Sequence, residues 1–196
     1  GAVPLNKTTA GTVTLSGLNT YTGATTINAG VLSVGTIGNG GVAGNLGAAT
    51  NVAANLVLGG GTLQYTGATA ATDRAFTLAA GTTSLIDVSV GANTLTMSGA
   101  SAVTSGALTK VGSGTLTLSG ANGYTGLTTV SNGILRMGAA GTISNSAGIK
   151  VVSGATFDVT AGGITLTPGQ SIIGNGAFIA LYASSISGVK RPSANI

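Results

Sequence analysis

Apolar residues alternate with small polar ones in short runs along much of the chain. Val13 and Leu15, Leu95 and Met97, and Leu116 and Leu118 are each separated by a single Thr. A period of two sends successive side chains to opposite faces, so each run predicts a strand with one buried face. The runs span three to five residues and are cut by Gly or Asn. Both residues tolerate the positive φ that tight corners need, so the pattern predicts short strands joined by sharp turns.

The runs recur at long range. Residues 7–35 and 110–138 align without a gap at an offset of 103, and 16 of 29 positions are identical. Gly91–Gly99 matches Gly112–Gly120 at an offset of 21, and Tyr65-Thr-Gly67 follows Tyr21-Thr-Gly23 by 44 residues. Read as five, one and two turns, these offsets share a unit near 21, within the range of solenoid repeats. The expectation is an all-β, parallel β-solenoid of about nine coils of roughly 21 residues. Like residues stack in columns, with Val, Leu and Ile inside and Thr, Ser and Asn outside or at corners. Residues 1–180 form that single solenoid, and residues 181–196 form a C-terminal tail that does not continue the repeat.

Composition narrows the picture further. Gly, Thr, Ala, Ser and Asn supply 126 of 196 residues, and only 5% are charged. Stacking in register places equivalent residues over one another, so a column of like charges would repel itself, while Thr and Asn columns hydrogen-bond along the axis. Glu, His, Cys and Trp are absent, and the acids are Asp73, Asp87 and Asp158. Surface helices, thiol chemistry and His-based proton transfer are excluded on that basis, and His or Cys metal sites with them. No catalytic residue, metal site or cofactor is expected.

The net charge of +4 is thin, with Lys190 and Arg191 in the tail and Lys7, Arg74, Lys110, Arg136 and Lys150 scattered singly. Nucleic-acid binders cluster such residues beside stacking aromatics, so no nucleic-acid partner is expected. Mean hydropathy is +0.52, yet the best apolar stretch, 176–183, is eight residues against the roughly 20 a spanning helix needs.

The segments from Ser16 to Leu32 and from Ser119 to Leu135 share the pattern Asn-x-Tyr-Thr-Gly. With the preceding GxGTLTLSG, found at Gly112–Gly120, they resemble the autotransporter-associated β-strand repeat, also called the passenger-associated transport repeat. The resemblance covers residues 7–138 well. It implies a right-handed parallel β-helix in a secreted bacterial surface protein, whose repeats help export and folding of the passenger.

Enzymatic β-helices pair carboxylates a few Å apart, but Asp73, Asp87 and Asp158 are widely spaced, and adjacent Asp73 and Arg74 point to opposite faces of a strand. Asp73 and Asp87 are instead expected to close turns or accept backbone N–H bonds. The repeat motif Asn19, Tyr21, Gly23 and Asn122, Tyr124, Gly126 has two readings: an aromatic face for sugars, or a corner with the Tyr hydroxyl at the surface. The corner is favoured.

Taken together, the chain reads as a structural, extracellular solenoid: a self-assembling fibre subunit or rigid adhesive stalk of a bacterial surface. The alternatives are a monomeric passenger fragment and, remotely, a polysaccharide-active enzyme. Neither Gly1–Lys7 nor Ala180–Ile196 reads as a charged or helical cap, so open ends predict head-to-tail homo-oligomers. Val189, Lys190, Arg191 and Pro192 are the candidate assembly tail, and a host or matrix surface is the expected outside partner.

Overall fold

A computed structural model describes residues 2–180. Eighteen short strands and a single 3-10 turn wind around three sides of a rod. The first side holds β1 (Leu5–Lys7), β3 (Thr25–Ile27), β5 (Leu56–Leu58) and β8 (Thr77–Leu78). The second side, which runs the length of the rod, holds β2 (Thr12–Leu15), β4 (Val31–Val34), β6 (Thr62–Tyr65), β9 (Thr83–Val88), β11 (Ala107–Val111), β13 (Thr128–Val130), β15 (Ile149–Val151) and β17 (Ile172–Gly174). The third side holds β7 (Ala70–Thr72), β10 (Thr94–Met97), β12 (Thr115–Leu118), β14 (Ile134–Met137), β16 (Thr156–Asp158) and β18 (Ala177–Ile179).

Every strand pairing is parallel, so the molecule is a parallel β-solenoid with eight rungs on its continuous side. Successive turns on that side advance by 19, 31, 23, 24, 20, 21 and 23 residues. The long turn carries residues 35–55, an excursion on the side that has no strands at that level. At about 4.8 Å per rung the rod is roughly 34 Å long.

The period-two pattern becomes columns. Val13, Leu32, Leu63, Ile86, Lys110, Val130 and Val151 stack inward on the second side. Leu95, Leu116, Leu135, Phe157 and Phe178 do the same on the third, with the last two rings 5.8 Å apart. Thr is the commonest residue in the outward columns, and the one close ion pair among the described residues joins Arg136 to Asp158, register partners on adjacent rungs at 2.8 Å. Opposite charges thus occupy neighbouring places in a column where like charges would repel.

Two of the long-range offsets acquire new meanings. The offset of 21 is one turn, since Thr94 pairs with Thr115 and Met97 with Leu118. The offset of 103 is four turns plus one side. It maps β1, β2, β3 and β4 onto β11, β12, β13 and β14, which lie one side further round. The offset of 44 is no structural period: Tyr65 lies in a strand on the second side, whereas Tyr21 lies between strands. Corners also differ from expectation, because among the described residues only Gly takes positive φ. Gly30 and Gly133, counterparts in the two copies, both turn at φ +64.

Leu116 and Val13 occupy the same place in the two copies, but Leu116 is fully buried and Val13, on the first rung, is 40% exposed. Leu116→Ala should therefore cost about 3 kcal/mol in urea denaturation, and Val13→Ala under about 1 kcal/mol. Equal losses would contradict the stacking order.

Candidate functional site

The repeat motif falls on the side that carries no strand at its level, after β2 in the first copy and after β12 in the second. In the second copy Asn122 is buried. Its Oδ1 accepts from Ser101 N at 3.1 Å, and its Nδ2 donates to Gly120 O at 2.8 Å and Thr142 O at 3.2 Å. One side chain thereby ties together three rungs. Asn19 makes the counterpart bond, Nδ2 to Gly17 O at 3.3 Å, and a second to Asn45 O at 3.0 Å. The asparagines serve the corner through side-chain hydrogen bonds and not through left-handed backbone.

Tyr21 and Tyr124 each hydrogen-bond the Thr four residues on, Thr25 or Thr128, at 2.8 Å. The hydroxyl expected at the surface is inside in the second copy. Tyr124 is fully buried, and its partner Thr128 continues to Ser146 Oγ at 2.9 Å. The next turn runs close beside the motif here, with Thr142 bridging to Ala121 and Ser146 bonded to Thr128. Burial pushes the Tyr124 phenol well above its ordinary range, and a ring so enclosed offers no face to a sugar. Tyr21 is half-buried, lying against Gly47. Gly23 and Gly126 leave no room for a side chain: a Cβ would strike the backbone of Val3–Pro4 or of Gly106, counterparts in the previous rung.

Sequence reasoning missed the buried cations. Lys7 and Lys110 open the two aligned copies, and that shared first position was the available signal. Lys110 points inward between Ile86 and Val130, and its Nζ donates to Val111 O at 2.7 Å, Gly112 O at 2.9 Å and Asn132 O at 3.2 Å. Lys7 repeats the arrangement on the counterpart carbonyls of Thr9 and Ala29. The apolar stem fills the core while the ammonium gathers corner carbonyls. Burial lowers the Lys110 pKa from 10.5 to about 8, against a smaller upward pull from Asp87.

Arg74 plays a related part for the long excursion. It is buried and donates to the carbonyls of Gly38, Ala49, Asn39, Val42 and Gly47 at 2.8 to 3.5 Å. Asp73 beside it accepts from Gly40 N at 2.7 Å and Asn51 Nδ2 at 3.2 Å. The two neighbours act on one loop as a clamp. Asp87 accepts from Gln64 Nε2 at 2.8 Å, a side-chain partner on the adjacent rung where a turn or a backbone N–H was expected. Asp158 is lowered from its ordinary pKa, since bonds from Thr160 and Arg136 outweigh burial. The structure brings no two carboxylates together, and no cluster of three metal-ligating side chains occurs among the described residues. A groove of about 340 Å³ beside Met137, Ile143 and Ile164 has a rim of Thr and Ser and no titratable lining. Val189, Lys190, Arg191 and Pro192 lie outside the described residues.

Asn122→Ala leaves the buried Ser101 N–H without its partner and takes the second donor from the Gly120 and Thr142 carbonyls, which keep a backbone N–H each, and should cost about 1–3 kcal/mol in chemical denaturation. Tyr124→Phe should cost about 1 kcal/mol. A neutral Asn122→Ala would remove the corner role. For Lys110, the folded pKa lies below the unfolded one, so the unfolded chain binds the extra proton between them. Stability should therefore rise between about pH 8 and about pH 9.5, below the ionisation of unfolded-state tyrosines. Lys110→Met should flatten that rise in pH-dependent melting. An unchanged slope would assign it to another group.

The geometry thus holds repeat corners and carbonyl clamps. A family model described as passenger-associated-transport-repeat matches residues 5–34 and 108–137, the two copies. The chain is also 47% identical over 167 residues to the adhesin BmaC autotransporter of Brucella suis biovar 1 (strain 1330). That match covers 84% of this chain and 5% of the relative, so the chain spans about one-twentieth of the curated relative's length. No solved structure matches. Matched repeats and solenoid rungs coincide strand for strand, and the chain thus carries two copies of the passenger-associated transport repeat.

Proposed function

We propose that the chain is a rigid, non-catalytic stalk segment of an autotransporter adhesin passenger, displayed at the bacterial cell surface. The observation that carries this reading is the continuous parallel column structure itself, in which the buried polar side chains fasten backbone to backbone. Asn122, Lys110 and Arg74 all spend their donors on main-chain carbonyls. A rod so fastened holds distance and direction. Its outward Thr columns present a neutral, hydroxyl-rich surface to a host or matrix surface.

The likeness to an adhesin supports surface display and attachment. No described helix is long and apolar enough to cross a membrane, and the solenoid supplies no spanning element of that kind. The tail from residue 181, with Val189 to Pro192, is proposed as an assembly contact of the same rod.

Antibodies raised against the purified chain should label intact cells of the bacterium that makes it, and beads coated with the chain should attach to host cells or matrix. Asp87→Asn should leave attachment unchanged. Labelling only after cell lysis, or loss of attachment with Asp87→Asn, would contradict the reading.

A further inference from the structure

Four Asn-Gly steps occur along the chain, at Asn39, Asn122, Asn132 and Asn175. In such a step the glycine has no side chain to shield its nitrogen, and attack on the asparagine's amide carbon closes a five-membered ring. Whether the ring forms depends on how the two groups are held.

Three of the four steps have that nitrogen committed elsewhere. Asn122 is buried with both ends of its amide bonded, and Gly123 N donates to Ser101 O at 3.3 Å and Ser101 Oγ at 3.0 Å. Asn39 is exposed, but its Oδ1 accepts from Asp73 N at 3.0 Å, and Gly40 N donates to Asp73 Oδ1 at 2.7 Å. Gly176 N donates to Val151 O at 3.1 Å on the adjacent rung.

The step at Asn132 differs. Among the described residues Gly133 N donates only to Asn132 Oδ1, at 2.8 Å, and that oxygen is bonded to the amide carbon itself. Asn132 is exposed, so water reaches the pair. The corner fixes the arrangement, because Gly133 turns at φ +64 and a Cβ there would strike Gly112 O and Gly114 O. The first copy has Ala29 in the place of Asn132 and Gly30 at the same φ, so the same corner forms without the amide.

We infer that Asn132 is a site of self-modification, converted in the folded rod to an aspartyl or isoaspartyl residue through a cyclic imide with Gly133. Gly133 N gives its proton to hydroxide and attacks Asn132 Cγ. The bond from Cγ to Nδ2 breaks, and the leaving nitrogen takes a proton from water, which restores the hydroxide and releases ammonia. A water molecule then opens the imide at either carbonyl. Overall one water is consumed, one ammonia is released, and an amide becomes a carboxylate.

The new charge belongs to the residue whose carbonyl already accepts from Lys110 Nζ at 3.2 Å. Asp87 is the charge that Lys110 otherwise feels, and a second negative group favours the ammonium and pulls its pKa back up from about 8. The chemistry goes beyond the stalk reading and is independent of it.

Trypsin cuts after Lys110 and Arg136, so one peptide, residues 111–136, carries both Asn122 and Asn132. The folded full chain, aged in mildly alkaline buffer and then unfolded and digested, should gain the mass difference between amide and acid at Asn132. That gain should be at least about tenfold faster than at Asn122, where attack waits on local opening. Ageing in urea should modify the two residues alike. Asn132→Gln keeps an amide but needs a larger ring, and should remove most of the ammonia released by the folded chain. Asn132→Asp, which carries the product's charge, should flatten the rise in stability between about pH 8 and about pH 9.5.

An Asn132 that stays an amide in the folded chain overturns the inference, as does equal modification of Asn122 and Asn132 in the fold. An Asn132→Asp chain with the slope of the parent would overturn the effect on Lys110 and leave the modification standing.

Discussion

Register is the constraint on which everything else in this molecule depends. Each residue sits directly over its counterpart one turn away, so the choice at any position is made jointly by a whole column. Inward columns settle on Val, Leu, Ile and Phe. Outward ones favour Thr, and the two charges that share a column, Arg136 and Asp158, are a neighbouring pair of opposite sign. The small number of charged residues is a consequence of stacking and carries no message about partners.

Corners pose the complementary problem. A short strand leaves carbonyls at each end that the ladder does not use, and the rod is too thin to hide them from its own core. Three kinds of side chain resolve this from inside: Lys7 and Lys110 at one corner, Asn19 and Asn122 at another, and Arg74 beneath the long excursion. The cost of burying a cation is offset by several carbonyls at once, as with the three around Lys110. Glycines complete the arrangement where a Cβ would meet the adjacent turn, as at Gly126.

Much of the fold was legible because alternation and stacking are local and periodic. Val13–Leu15 and Leu116–Leu118 announce strands, and the offset of 21 equals the true pairing of Thr94 with Thr115. The offset of 103 was harder, since a sequence has no marker for the side of a rod, and four turns plus a side look like five turns. The corner chemistry was legible only in part. Asn122 and Gly126 stand out as repeated letters, but the burial of Tyr124 and the partner of its Thr128, Ser146, are not marked in the motif. Lys110 reads as one of several singly scattered cations because polarity is read residue by residue, while its surroundings come from Ile86 and Val130 on other turns.

The one-side shift between the two repeats bears on how such a rod meets a flat surface. A feature carried by the repeat does not recur along a straight stripe but follows a spiral around the shaft. A planar substratum touches only those copies that face it, while the others point sideways or away. The two copies in this chain face adjacent sides, so an approach toward one of them leaves the other turned away.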